Sequence, residues 1–277
     1  MRLKRLILLF AALVMLALCA CAAENGNMDE TDGNDGGNQQ IRDSETDDND
    51  VSVNGDVVVS ANTVGKNFTA GDGKIILVAT VSVPEIDDEK HPEASQAIND
   101  YYALRIDNHL AYAEYELMEY ADYAYSNRGG AEFIAYTTEE FFTVEFNSNG
   151  YISFLRNIVE TTGEEYSQEI ITAETFEMEE GGLVTGAYMF SVDTDTAAGR
   201  ITDIILSQYD NMNENEKAAY VPDFEQALKT CFNLDSFYLT NEGIVYYFQN
   251  YQLTLMDENA AEFVIPYDEV KDIFTLW

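Results

Sequence analysis

The chain reads as an α+β domain with a mainly antiparallel sheet, one long helix and two or three shorter helices. Short alternating or β-branched runs recur, joined by Gly- and Asn-rich turns. The stretch from Pro92 to about Tyr125 contains no internal Gly or Pro and suits one long helix. The strand runs follow one another as hairpins and do not alternate strictly with helices, which favours antiparallel pairing.

Taken in order, Lys74 to Pro84 carries Ile75, Ile76, Leu77, Val78, Val81 and Val83 and is expected to be a strand. Pro92 fits the first helical position, with Glu93 in the first turn. Along that helix stand Tyr101, Tyr102, Tyr112, Tyr115, Tyr120, Tyr123 and Tyr125. Rings at these positions pack on a sheet with their hydroxyls at its edge; the sharper alternative is a ligand-stacking surface. After Gly129-Gly130 the sequence alternates from Glu132 to Phe146, turns at Asn147-Ser148-Asn149-Gly150, and resumes from Tyr151 to Leu155, a hairpin signal. Ile170 to Met178 and Leu183 to Val192, separated by Glu179-Glu180-Gly181-Gly182, predict a second hairpin. Arg200 to Tyr209 and Asp223 to Phe232 have helical spacing. Phe237 to Leu239, Ile244 to Phe248, Tyr251 to Leu255 and Phe263 to Ile265 are expected strands, and Pro266 opens a final helix from Tyr267 to Phe274.

The N-terminus has a different character. Arg2, Lys4 and Arg5 precede an uncharged apolar run from Leu6 to Leu18, the order of a secretory signal. That run is short of the roughly 20 apolar residues of a spanning helix. It ends in Leu18-Cys19-Ala20-Cys21, which resembles the lipobox of bacterial lipoproteins and makes Cys21 the expected lipidation site. Residues 1–21 are thus expected to be a lipoprotein signal with its lipobox. Residues 22–63, rich in Asn, Asp, Gly, Glu and Thr, are expected to be a disordered acidic tether. The domain is placed at 64–277, with a division into subdomains at about 64–192 and 193–277. The location this implies is the outer face of a bacterial membrane, with the membrane itself a partner through the lipid anchor.

With Cys21 acylated and Cys19 removed with the signal, Cys231 is the one cysteine left, so no internal disulfide can form. In its setting, Leu228-Lys229-Thr230-Cys231-Phe232, it reads as a small buried apolar residue. Cleavage before Cys21 removes three bases and no acid, leaving 11 basic against 51 acidic residues and a formal charge of −40. The tether holds 11 of those acids and Arg42, so the domain itself is near −30. Such a field repels nucleic acid and anionic lipid and favours basic partners, while also keeping the chain soluble. No nucleic-acid partner is expected. The 46% hydrophobic fraction is ample for a packed interior.

Catalytic signatures are sparse. The two imidazoles, His91 and His109, lie about five helical turns apart and cannot share a metal. There is no His-Glu-x-x-His, Cys-x-x-Cys, Gly-x-Ser-x-Gly or phosphate-cradling Gly loop. Carboxylate pairs are too numerous for any one couple to stand out. Asp193-Thr194-Asp195 lacks the pattern of an EF-hand loop and reads as solvated acid. No catalytic residue, metal or cofactor is expected.

The region Asp235 to Phe274 contains Asp-Ser-Phe-Tyr-Leu-Thr-Asn-Glu-Gly-Ile-Val-Tyr-Tyr-Phe-Gln-Asn-Tyr-Gln and Phe-Val-Ile-Pro-Tyr-Asp-Glu-Val-Lys-Asp-Ile-Phe. It resembles the RsiV-like extracytoplasmic domain, a domain of unknown function shared by the anti-sigma-V factor RsiV and the region ahead of the catalytic domain in the peptidoglycan deacetylase PdaC. Phe237, Tyr238, Leu239, Gly243, Phe248, Tyr251, Ile265, Pro266 and Tyr267 hold the matching, mainly structural, places. Val83-Pro84 and Ala97-Ile98-Asn99 resemble the family's opening strand and helix, extending the likeness to about 75–277. The resemblance implies a non-enzymatic binding module whose ligand is a basic protein such as lysozyme, or cell-wall material. A wall-modifying enzyme or accessory domain, and a structural envelope lipoprotein, are the alternatives. The family's Gly-Gly-Ala-His stretch is replaced by Thr161-Thr162-Gly163-Glu164-Glu165, and a sigma-binding segment is not evident, so signalling to a sigma factor is not expected.

Overall fold

The computed structural model describes residues 55–163, 166–255 and 260–277. The expected signal, Cys21 and the tether up to residue 54 lie outside them.

Strands β1 (Val58–Thr69) and β2 (Ile75–Asp87) form an antiparallel hairpin. Strand β1 therefore begins inside the segment 22–63 that composition assigned to the tether, ahead of the domain boundary placed at residue 64. The reason is local: Val57 and Val59 are buried in the core, and the Asn147 side-chain amide clasps Val57, accepting from its N–H at 3.1 Å and donating to its carbonyl at 2.7 Å. The small and polar residues that follow, Ser60 to Thr63, belong to an edge strand and share the composition of a tether.

The long helix comprises α1 (Pro92–Tyr112), a π-helical turn (Ala113–Leu117) and α2 (Met118–Ser126). Its buried residues explain the π turn. His109, Ala113, Leu117 and Ala121 are buried at steps of four, and each such step overshoots a 3.6-residue repeat by about 40°. A wider turn absorbs the excess and keeps all four on the sheet.

The helix carries the chain over one face to β3 (Tyr136–Ser148), which pairs parallel with β2 from Leu77↔Tyr136 to Val81↔Glu140. Strands β4 (Tyr151–Thr161) and β5 (Ser167–Glu177) complete an otherwise antiparallel sheet in the order β1-β2-β3-β4-β5. The β3–β4 turn is centred on Asn149 and Gly150, both at positive φ (56° and 77°), as the tight hairpin turn demands.

The second hairpin expected after Met178 does not form. The Glu177 carboxylate accepts from the backbone N–H groups of Glu179, Glu180 and Gly182 and curls the chain. Leu183 then makes one bridge to Phe176 and the chain leaves the sheet. Residues 186–192, expected as strand, instead hold the single-turn helix α3 (Gly186–Met189), docked through Gly186 N–H on the Asp235 carboxylate at 2.7 Å.

Helices α4 (Thr194–Asn211), α5 (Glu214–Lys217) and α6 (Phe224–Cys231) follow. The short α5 is nucleated by a capping box between Asn213 and Glu216. A second sheet, β6 (Phe237–Leu239), β7 (Gly243–Phe248) and β8 (Ala261–Pro266), is wholly antiparallel. Tyr251 to Leu255 is a looped turn with one bridge, Thr254 to Tyr220, and not the expected strand. The last helix, α7 (Tyr267–Val270), is a single turn.

Side-chain parity fixes the layering. On β7, Val245 and Tyr247 pack on Ile171, Leu155 and Ala173 of the first sheet, while Ile244, Tyr246 and Phe248 pack under Ile201, Ile205, Phe224 and Leu228 of α4 and α6. The order is helix, five-stranded sheet, three-stranded sheet, helices: an α+β architecture. Between the sheets, Gln249 bonds both the N–H and carbonyl of Ile171, at 3.0 and 2.6 Å, and Tyr247 accepts from Ala173 N–H at 3.2 Å. These side chains seal the outer edge of β5, a common protection against edge-to-edge pairing. Among the described residues no helix is long and apolar enough to cross a membrane.

Candidate functional site

Beneath the long helix, the apolar face of the five-stranded sheet is interrupted by charge. Arg156 on β4 points toward the helix in phase with Ile152 and Phe154, and is 2% exposed. Its direct cross-strand neighbours are Phe142 and Thr172, so it reaches diagonally in both directions. On β5 it makes a two-pronged pair with Glu174, Nε to Oε2 at 2.8 Å and Nη2 to Oε1 at 2.5 Å. On β3, its Nη1 donates to Glu140. The other Glu140 oxygen lies 3.2 Å from His109 Nδ1, and His109 Nε2 is 3.3 Å from Thr138 Oγ1. Tyr101 and Tyr102 of the helix donate to the two oxygens of Glu174, at 3.3 and 3.4 Å. Buried polar contacts thus tie the helix to β3 and β5, and Arg156 of β4 joins the two carboxylates between them.

Burial raises the cost of each charge here, and specific bonds offset it. For Glu140, burial pushes the carboxyl up, but the His109 hydrogen bond and the Arg156 charge outweigh it and its pKa ends below the ordinary value. Glu140 therefore contributes stability present above the usual carboxylate range and lost as pH falls through its lowered value. Burial pulls Arg156 down, yet Glu174 and Glu140 hold it well above the ordinary guanidinium value. Tyr102 is pushed well up by burial and the Glu174 charge.

Glu160, farther along β4, behaves oppositely. Burial raises its pKa despite a hydrogen bond from Tyr112 and the proximity of His109. Its ionisation opposes folding once pH rises above the ordinary carboxylate value. Glu160→Gln should accordingly be more stable than the parent at pH 7, with the gain disappearing in acid. Paired thermal melts at neutral and acidic pH measure this.

The tyrosines of the long helix divide by depth. Tyr102 is buried and Tyr101 half-buried, whereas Tyr115 and Tyr123 are 75% and 67% exposed. Every acid of the helix is exposed: Glu93, Asp100, Asp107, Glu114, Glu116, Glu119 and Asp122. Of these, Glu114 pairs with Lys66 at 2.6 Å. The outward face is therefore both acidic and aromatic, and the buried cluster below fixes its position.

The motif residues lie elsewhere. Phe237, Tyr238, Leu239, Gly243, Phe248 and Ile265 are buried in the second sheet. Pro266 ends β8, and Tyr267 donates from its hydroxyl to Thr240 O at 2.9 Å. Tyr251 differs: it is exposed, in the left-handed region at φ 68°. His91 is exposed beside Asp88 at the helix start, far along the helix from buried His109. Cys231 is half-buried, and burial pushes its thiol up. Asp193 caps α4, accepting from Thr196 N–H at 2.9 Å. Among the described residues no group of three or more His, Cys, Asp or Glu is placed to hold a metal.

Residues 189–268 match the family described as "Protein of unknown function (DUF3298)". That segment spans α4 to α6, the second sheet and the start of α7. Two solved structures share the fold. A member of that family from Bacteroides fragilis NCTC 9343 aligns with a TM-score of 0.54 and 14% identity, covering 80% of this chain and 94% of that one. A DUF3298 family protein from Pseudomonas aeruginosa PAO1 aligns with a TM-score of 0.51 and 10% identity, covering 79% and 94%. No curated protein matches the chain.

Proposed function

We propose that this chain is a non-enzymatic, membrane-anchored lipoprotein whose extracytoplasmic domain captures a basic, cell-wall-associated protein, lysozyme being the first candidate. The observation that carries the reading is the outward face of the long helix, where acids and tyrosines are exposed together. Formal charge supports it: at −37 for the whole chain, the field favours encounter with a basic protein and orients it. Aromatic rings beside carboxylates supply contact area and cation–π attraction where bare acids would supply only long-range attraction. The expected lipid at Cys21 would hold the domain at the outer membrane face, with the acidic segment after it as a spacer.

Two measurements test the two halves. Metabolic labelling with a fatty-acid probe should mark the chain and fail to mark Cys21→Ala; equal labelling would refute the anchor. Titration of the chain with lysozyme at low salt should give saturable binding, and no binding there would refute the lysozyme reading.

A further inference from the structure

The helix shows within the fold how its tyrosines meet cations. The Arg105 guanidinium lies 5.0 Å from the Tyr101 ring and donates to its hydroxyl at 2.6 Å. The Arg128 guanidinium sits over Tyr125 at 3.6 Å. Among the described residues no cation stacks on Tyr115 or Tyr123, the two most exposed rings of the helix. They stand at four-residue steps on either side of Glu119, which places the three as neighbours along one face, with roughly 12 Å of helix rise between the two tyrosine positions. Nearby cations are committed: Lys66 to Glu114 at 2.6 Å, Arg105 and Arg128 to their own tyrosines. The π turn that holds Tyr115 is a feature that recurs at functional sites.

We propose that Tyr115, Glu119 and Tyr123 form a docking surface for an arginine-bearing segment of a basic protein, with guanidinium groups stacked on the two rings and paired to the carboxylate between them. This rests on the reading that the domain binds a basic protein, and it assigns the contact to this half of the helix. Charge complementarity selects a cationic occupant. Planar, weakly hydrated guanidinium suits a ring beside a carboxylate better than the compact ammonium of lysine.

The test uses the full chain in detergent, titrated with a short oligo-arginine peptide and with an oligo-lysine peptide of equal length. The arginine peptide should bind more tightly. Tyr115→Ala with Tyr123→Ala should weaken it about tenfold, with the melting temperature unchanged because both rings are exposed. Tyr188→Ala, removing a comparably exposed ring on α3, should leave binding as it was. Undiminished binding to the double variant, equal weakening by Tyr188→Ala, or no binding of the arginine peptide would overturn the proposal. Lysozyme titrated in parallel separates the two ideas: failure of lysozyme alone removes that ligand and leaves the surface standing.

Discussion

Arg156→Ala is expected to cost about 3–5 kcal/mol of unfolding free energy, the largest loss of any single polar substitution in the domain. The favourable term is not the pair itself, whose attraction is spent largely on desolvation. What costs so much is the remainder: two buried carboxylates, Glu140 and Glu174, with their central cation gone. Chemical denaturation of the single variant measures the loss. Arg156→Met combined with Glu140→Gln and Glu174→Gln should recover most of it, because no uncompensated charge is then left inside. The deficit of the single variant should also narrow as pH falls, since protonating the carboxylates removes the same charge. If Arg156→Ala were nearly neutral, the helix would not be held by this cluster.

Gly243→Val is expected to cost about 2–3 kcal/mol, through overpacking. A Cβ at this position would collide with the Ile265 carbonyl oxygen, and would lie 2.8 Å from its carbon and 3.1 Å from Pro266 Cα. These are backbone atoms of β8, directly across from β7, so no rotamer change relieves them. The strand must move, and Pro266 and Tyr267 with it. The single tryptophan, Trp277, reports the shift: it stacks on Phe146 at 5.4 Å and meets Tyr267 at 5.1 Å. A lower melting temperature with an altered Trp277 emission is the expected result.

Much of the fold was legible because its signals are local. The Asn149-Gly150 turn, the long helix from Pro92 and the helix start after Pro266 rest on local signals and stand in the structure, although a π turn divides the long helix and the last one ends at Val270, short of the expected Phe274. The failures came where a distant partner decides. Leu183 to Val192 looks like strand, but the Glu177 carboxylate bends its start and Asp235, far along the chain, holds Gly186. The run Val57-Val58-Val59 sits in tether-like composition and by sequence alone reads equally as tether or as the start of a strand; the pairing of β1 with β2, the burial of Val57 and Val59 and the Asn147 clasp on Val57 decide for the strand.

The buried cluster was missed although a signal existed. Arg156 alternates in phase with Ile152 and Phe154, which places it inward once the strand is accepted, and Glu140 and Glu174 are inward on their own strands by the same parity. Parity alone does not say which strands are neighbours, and the diagonal reach of Arg156 depends on the β3-β4-β5 order. Of the helix tyrosines, Tyr102 packs on the sheet as expected, although its hydroxyl meets buried Glu174 and not the sheet edge, while Tyr115 and Tyr123 face solvent. The motif residues, which led sequence reasoning to a binding module, lie mostly in the second sheet; the acidic aromatic face is on a different element.

Capture of a basic protein through that face predicts more than charge attraction. The most direct measurement is calorimetric titration of the chain with lysozyme and with an unrelated basic protein of matched net charge, at low and at physiological salt. The account predicts that both bind at low salt and that lysozyme alone remains bound at physiological salt, where long-range attraction is screened. Equal loss of the two proteins with salt would contradict it, leaving only the nonspecific field of an acidic domain.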